Sequence, residues 1–325
     1  MTGRINTQPQ LLHIYQRTVN GFVLFYTVSD FLVFFSIVCR FARKHNIRVI
    51  AIIPMFDHVH LLVECSDRKQ VAAFVQEYSS MYAKEFNISL NAKGKVFKKA
   101  FGCAVKTGMK KIRTACSYAY NNPGEKRLCK RAEQYRWTFL AYAVSSHPFS
   151  ENIVLKNASA SLRRAVKLVN CYHRKYDCLS YAFLERLFRD LSDKERRQLV
   201  DYIISLYNII DYDRLISFYG DYESMLLAFA SNQGSEYDIR EEFSDSSHLA
   251  YPEMGTYLQH RFGLENIKDV FRLDLDKRTD LFQELLTKTS ATTRQAEKYL
   301  RFKHASDNEE PDGEICLDLN EGGGA

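Results

Sequence analysis

The 325-residue sequence predicts an α+β protein whose second half becomes mainly α-helical. Three observations carry that reading. Up to about residue 121, short runs rich in β-branched residues alternate with longer stretches of helical spacing. Two of the short runs, Arg48–Met55 and Val59–Glu64, are separated by a short connection after Pro54, which suits an antiparallel pair at the centre of a sheet. From about residue 150, helical patterns succeed one another with no strand signal between them.

In chain order, His13–Val19 and Gly21–Tyr26 read as short strands around the turn-forming pair Asn20-Gly21. The run Gly21–Cys39, GFVLFYTVSDFLVFFSIVC, has nearly the length and apolarity of a membrane span. Asp30 in its middle would cost roughly 2.5–3.5 kcal/mol at a membrane helix centre, and Ser29-Asp30 has the residue types of a helix start. A strand followed by a buried helix over Asp30–Lys44 is the better parse, so no membrane partner is expected. Arg48–Met55, with Val49, Ile50, Ile52 and Ile53, reads as a central strand closed by Pro54. Asp67–Phe86 carries an apolar stripe through Val71, Phe74, Val75, Tyr78, Met81 and Tyr82. Asn87–Phe101 reads as a lysine-rich loop and Lys106–Asn121 as a helix ending before Pro123-Gly124. In the second half, Ser192 with Glu195 forms a capping box. Near the end, Leu281–Leu286, a turn at Thr287–Ser290 and Thr292–Leu300 read as helix, turn, helix. The expected organisation is therefore a catalytic or binding domain over 11–148 and a helical accessory domain over 149–305. A helix-turn-helix falls near 278–302, and an acidic, Gly-rich, disordered tail spans 306–325.

Charge separates the two halves. Residues 1–150 hold 22 Lys/Arg against 8 Asp/Glu, and the remainder 23 against 31, within a net charge of +6. A basic half joined to an acidic half points to a polyanion as partner of the first, nucleic acid before an anionic membrane surface. The eight cysteines show no CxxC pair and read as reduced thiols; with a polar first ten residues, a cytoplasmic, nucleoid-associated protein is expected.

The chemistry begins at Phe56-Asp-His-Val-His-Leu-Leu-Val-Glu64. On a strand, His58 and His60 point to one face while Val59 and Leu61 point to the other. Two imidazoles do not complete a metal site, and such a pair alone is more often structural. In Cys116-Ser-Tyr-Ala-Tyr-Asn-Asn-Pro123, Tyr118 and Asn122 lie four apart, on one helix face. The Asn122 carbonyl can be the third ligand, and two nitrogens with one oxygen donor suit Mg²⁺ or Mn²⁺ as a Lewis acid. A phenol of pKa about 10 is a poor nucleophile. With a metal polarising a phosphodiester, Tyr118 can attack it and form a 5′-phosphotyrosine. Tyr120, two residues away, points elsewhere on a helix and reads as packing or a DNA contact. Asp57 reads as a turn residue with a role behind a histidine as the alternative. Lys93, Lys95, Lys98, Lys99, Lys106, Lys110, Lys111 and Arg113, interleaved with Phe97 and Phe101, suit phosphate neutralisation and base stacking rather than a merely solvated face. Arg294, Gln295 and Lys298 are candidates on a recognition helix.

These residues also resemble a family. Ile53-Pro54-Met-Phe-Asp-His58-Val-His60-Leu-Leu62, then Tyr118 before Asn122-Pro123, then Tyr135-Arg-Trp137, resembles the REP-associated tyrosine transposases among the HUH single-strand transposases, over about residues 13–142. The resemblance implies a ferredoxin-like (RRM-like) antiparallel sheet with packed helices. It also implies Tyr118 as nucleophile and His58, His60 and Asn122 as metal ligands. The run Gly-Glu-Lys-Arg-Leu-Cys after Asn122-Pro123 departs from the family pattern and leaves the helix end unsettled. The expected function is a metal-dependent single-stranded DNA endonuclease and strand transferase, a transposase acting on single-stranded or hairpin-forming repeat DNA. The alternative is a non-catalytic DNA-binding regulator descended from one. A zinc hydrolase built on the histidine pair lacks a third ligand at motif spacing. The sequence leaves monomer and homodimer both open.

Overall fold

The computed structural model describes residues 10–65, 67–98, 101–231, 247–263 and 267–302. The tail 306–325 and Lys99 lie outside the described residues.

Four strands form one antiparallel sheet in the order β2-β3-β1-β4: β1 Gln10–Arg17, β2 Arg48–Pro54, β3 His58–Cys65 and β4 Gly102–Lys106. Helix α1 (Val28–Lys44) connects β1 to β2, α2 (Arg68–Leu90) connects β3 to β4, and α3 (Met109–Glu125) follows. This is the ferredoxin-like βαββαβ order. Period-two alternation divides the sheet into two faces. Leu12, Ile14, Val59, Leu61 and Val63 pack into the core shared with α1 and α2, whereas Leu11, Leu62, Ile50 and Ile53 pack with Ala115, Ala119 and Tyr120 of α3.

Three sequence expectations need correction. Val23, Leu24, Phe25 and Tyr26 of the Gly21–Tyr26 segment are buried but join no strand. Asn20 (φ 58°) and Gly21 (φ 63°) do turn the chain, after which Leu24 N–H donates to the Phe56 carbonyl at 2.7 Å. Continuous apolarity reported burial there, not pairing. Residues 102–106 form an edge strand, so Lys106 ends β4 and does not start a helix. Its Gly102, small residues and exposure carry little β signal. Finally, α3 continues through Pro123, because a proline in the last turn forfeits only one ladder bond. Helix α1 starts at Val28 under a Thr27 cap, with Asp30 the third helical residue and reciprocal partner in the capping box.

The second half is helical as expected: α4 Ala160–Tyr176, α5 Tyr181–Phe188, α6 Asp193–Tyr207, α7 Tyr212–Ser217, α8 Tyr222–Ser231, α9 Ala250–Phe262, α10 Leu275–Lys288 and α11 Thr293–Leu300. The Ser192–Glu195 capping box is formed at the start of α6. Among the described residues, no helix is long and apolar enough to cross a membrane. Both cores draw on both halves. The core under α1 and α2 continues into α4–α6 and α9–α11, and the α3 core takes Leu215, Phe218, Met225 and Phe229. Trp137 of the Tyr-x-Trp segment stacks on Phe31 at 4.2 Å and 5°, a packing role. A bidentate pair from Arg214 of α7 to Glu64 of β3, at 2.8–3.2 Å, adds a polar tie between the halves.

Candidate active site

The β1–β3 register sets the site. Tyr15 lies opposite His60 and Arg17 opposite His58, so His13, Tyr15, Arg17, His58 and His60 share the sheet face covered by α3. The His58 and His60 rings are 5.0 Å apart, and the Tyr15 ring lies 5.0 Å from His60 and 5.6 Å from His58. His13 Nε2 and His60 Nδ1 are 3.0 Å apart and share one proton as donor and acceptor. Burial, then the neighbouring His58, His13 and Arg17, push the His60 pKa well below its ordinary value, so the ring is neutral at physiological pH. A neutral imidazole is the form that ligates a metal.

His58 is oriented from behind. Its Nδ1–H donates to Asp57 Oδ1 at 2.8 Å, which directs Nε2 the other way. Lys298 Nζ of α11 donates to Asp57 Oδ2 at 3.2 Å, and His248 Nε2 lies 4.0 Å from Oδ1. Burial alone would raise the Asp57 pKa. The hydrogen bond and charge of His58, with His248 and Lys298, outweigh it and hold the carboxyl well below the usual carboxylate range. Asp57 therefore fills the role behind a histidine as well as the turn.

From α3, the Tyr118 ring reaches 5.7 Å from His60 and 6.0 Å from His13. Asn122 follows one helical turn later on the same face. Tyr120 points away: its ring stacks on Phe229 at 5.0 Å and its hydroxyl donates to the Ile50 carbonyl at 3.3 Å. Tyr118 is 4%, His58 8%, His60 0% and Asn122 2% exposed, so a DNA strand reaches the phenol only if the surrounding cover shifts.

The residues present fit a divalent cation on one structural observation. His58 Nε2 and Asn122 Oδ1 are buried and have no hydrogen-bond partner among the described residues. Two such unmatched lone pairs are costly, and a cation is the partner that would satisfy both. Among the described residues no group of three His, Cys, Asp or Glu is placed to hold a metal.

The expected DNA-contacting residues divide. Lys93, Lys95, Lys98, Lys110 and Lys111 are exposed around the loop before β4 and the start of α3. Lys106 is 2% exposed and faces inward, whereas Arg113 is exposed although its Nε donates to the Phe218 carbonyl at 2.6 Å. On α11, Arg294 is exposed, but Gln295 is buried with its amide nitrogen on the Ser247 carbonyl and its oxygen capping Thr292. Lys298 goes to Asp57. The helix docks on the sheet domain instead of presenting those two side chains outward.

Residues 24–122 match the model of the family described as Transposase IS200 like. Within the sheet domain, residues 24–122 are thus similar to the IS200-like transposases. A solved structure described as the REP associates tyrosine transposase bound to a REP hairpin is similar over 42% of this chain and 79% of its own, at 14% identity and a TM-score of 0.35. No curated protein matches the chain. The IS200-like segment contains His58, His60, Tyr118 and Asn122, and it ends at Asn122. His13 precedes it, and His248 and Lys298 lie far beyond it. His13 and Tyr15 were recoverable from the same i, i+2 alternation that singles out the histidine pair. His248 has no such signal, since it sits in a loop after Ser247.

The site also gives stability a pH dependence. Burial lowers the His248 pKa to about 3, with Asp57 opposing and His58, Lys126 and Lys298 assisting. His60 is lowered likewise. Below the ordinary histidine value of about 6.5 the unfolded chain binds protons on both rings that the folded chain refuses. Stability should therefore fall as pH drops from about 6.5 toward 4.5, at roughly 1.4 kcal/mol per pH unit for each ring. Asp57, also depressed, acts in the same direction only below about 4. Urea midpoints measured across that window check this, and His248→Gln should remove about half the slope.

Proposed function

We propose that this protein is a metal-dependent single-stranded DNA endonuclease and strand transferase. It would act on hairpin-forming repeat DNA through a 5′-phosphotyrosine on Tyr118. The observation that carries this reading is the meeting of Tyr118 with the His58–His60 pair, beside two buried lone pairs on His58 Nε2 and Asn122 Oδ1. His58, His60 and Asn122 would hold Mg²⁺ or Mn²⁺. Bound there, the ion supplies Lewis-acid polarisation of the phosphodiester and neutralises charge developing on it.

The chain's own residues do the rest. Asp57 and His13 fix the His58 and His60 imidazoles through Nδ1, and the His58 bond directs its Nε2 toward ligation. The Tyr118 oxygen attacks phosphorus, the bond to the 3′ oxygen breaks, and that strand leaves with a free 3′-hydroxyl. The phosphotyrosine keeps the bond energy, so a second 3′-hydroxyl can reverse the step and join a different strand. Exposed Lys93, Lys95, Lys98, Lys110 and Lys111 would neutralise backbone phosphates along the approach.

The test is incubation of the protein with a repeat-bearing single strand and Mn²⁺, followed by a denaturing gel for protein-linked DNA. Chelation by EDTA and His58→Ala should each lower the linked fraction about a hundredfold or more, as expected where several kcal/mol of charge stabilisation is lost. The near-complete burial of Tyr118 favours a second reading, a DNA-binding regulator that does not cut. Tight DNA binding with no linked product under any metal would select it.

A further inference from the structure

We propose that Lys298, on α11 of the helical half, is a positioning residue for the metal ligand His58, acting through Asp57. The inference rests on the ligand set proposed above and assigns to it a residue outside the family-matched segment. Both oxygens of Asp57 are held. Oδ1 accepts from His58 Nδ1 at 2.8 Å and Oδ2 accepts from Lys298 Nζ at 3.2 Å. A carboxylate gripped at one oxygen cannot rotate the other away from the imidazole, so the ring keeps one tautomer and one plane. The grip is partly shielded from water, with 14% of the Asp57 side chain and 20% of the Lys298 side chain exposed.

The approach of Lys298 is built into the backbone. At Gly21, a Cβ would lie 3.0 Å from Lys298 Cε and 3.2 Å from Nζ, so glycine leaves the path to Asp57 open. Gly21 also has φ +63°, a conformation that L side chains rarely adopt. The α11 backbone is pinned beside it. Val23 N–H donates to the Lys298 carbonyl at 3.3 Å, and Tyr26 Oη donates to the Tyr299 carbonyl at 2.9 Å. The capping box of Thr292 and Gln295 fixes the start of the same helix. The His248 ring also packs here, 6.2 Å from His58 with its Nε2 4.0 Å from Asp57 Oδ1. The helical half thus reaches the rear of the site and holds one of its ligands.

The experiment is Mn²⁺ binding to the full chain, read from the free-ion signal in electron paramagnetic resonance and needing no DNA. Asp57→Ala should weaken affinity about 10–100-fold and Lys298→Met about tenfold, with melting curves confirming a folded protein. Lys298→Arg, which keeps the charge and a donor, should recover most of the loss. If Lys298→Met does not fold, Lys298→Gln is measured in its place. Wild-type affinity in a folded Lys298→Met or Lys298→Gln protein overturns the positioning role and leaves the ligand set standing. Failure of the wild type to bind Mn²⁺ any better than His58→Ala overturns the ligand set, and this inference with it.

Discussion

A Tyr118→Phe protein should bind a repeat-bearing single strand as the wild type does and leave no covalent adduct. The expected loss is at least about a thousandfold, or some 4 kcal/mol of transition-state stabilisation. The aromatic ring, with its 5.7 Å contact to His60, survives the substitution, so binding and folding are preserved while the attacking oxygen is gone. Tyr120→Phe is the matched comparison. Its hydroxyl donates to the Ile50 carbonyl inside the core, and burial raises its pKa well above the ordinary phenol value. Removing it should cost about 1 kcal/mol of stability and leave adduct formation intact. An adduct that persists in Tyr118→Phe ends the assignment. Its disappearance in a stable Tyr120→Phe protein would transfer the role to that residue.

What the sequence disclosed follows from which patterns are local. The i, i+2 spacing of His58 and His60 and the i, i+4 spacing of Tyr118 and Asn122 are fixed by strand and helix geometry. The structure places the His58–His60 pair and Tyr118 side by side. The first half's strand and helix order was legible for the same reason, apart from the edge strand β4 and the buried Gly21–Tyr26 segment that joins no strand. Residue type alone could not separate surface lysines from the buried Lys106, since a Lys-rich stretch carries no period that distinguishes an inward position on an edge strand. Nor could it show that α11 turns Gln295 and Lys298 inward. Those side chains are claimed by Ser247 and Asp57, partners remote in sequence or outside any repeat pattern. The shared cores of the two halves were hidden for the same reason: tertiary pairings between helices leave no mark on the periodicity of either one.

Asp30, the acid that interrupts the apolar Gly21–Cys39 run, should prove a principal stability determinant. It is wholly buried and accepts at both oxygens. Oδ2 takes Tyr26 N–H at 3.0 Å, Thr27 N–H at 2.7 Å and the Thr27 hydroxyl at 2.8 Å, and Oδ1 takes the Tyr181 hydroxyl at 2.7 Å and Lys268 Nζ at 2.8 Å. Lys268, 3% exposed, also donates to Ser89 Oγ at 2.9 Å and lies 3.8 Å from the centre of the Tyr181 ring. Lys268→Met should therefore destabilise the protein by about 3–5 kcal/mol, because it strands a carboxylate where water cannot reach it. Asp30→Ala should cost a similar amount by stranding the ammonium and the α1 cap donors. Combining Lys268→Met with Asp30→Ala should cost less than the two single losses added together, since no uncompensated charge then remains. Denaturant unfolding of the four proteins gives the coupling energy. Additive losses, or a Lys268→Met protein within about 1 kcal/mol of wild type, would mean that the pair does not join the 267–272 turn to α1. A large coupling would explain why a charge is kept in the middle of the nearly apolar Gly21–Cys39 run. There it fixes the start of α1 and, through Lys268 and Tyr181, ties the helical half to the sheet that carries His58 and His60.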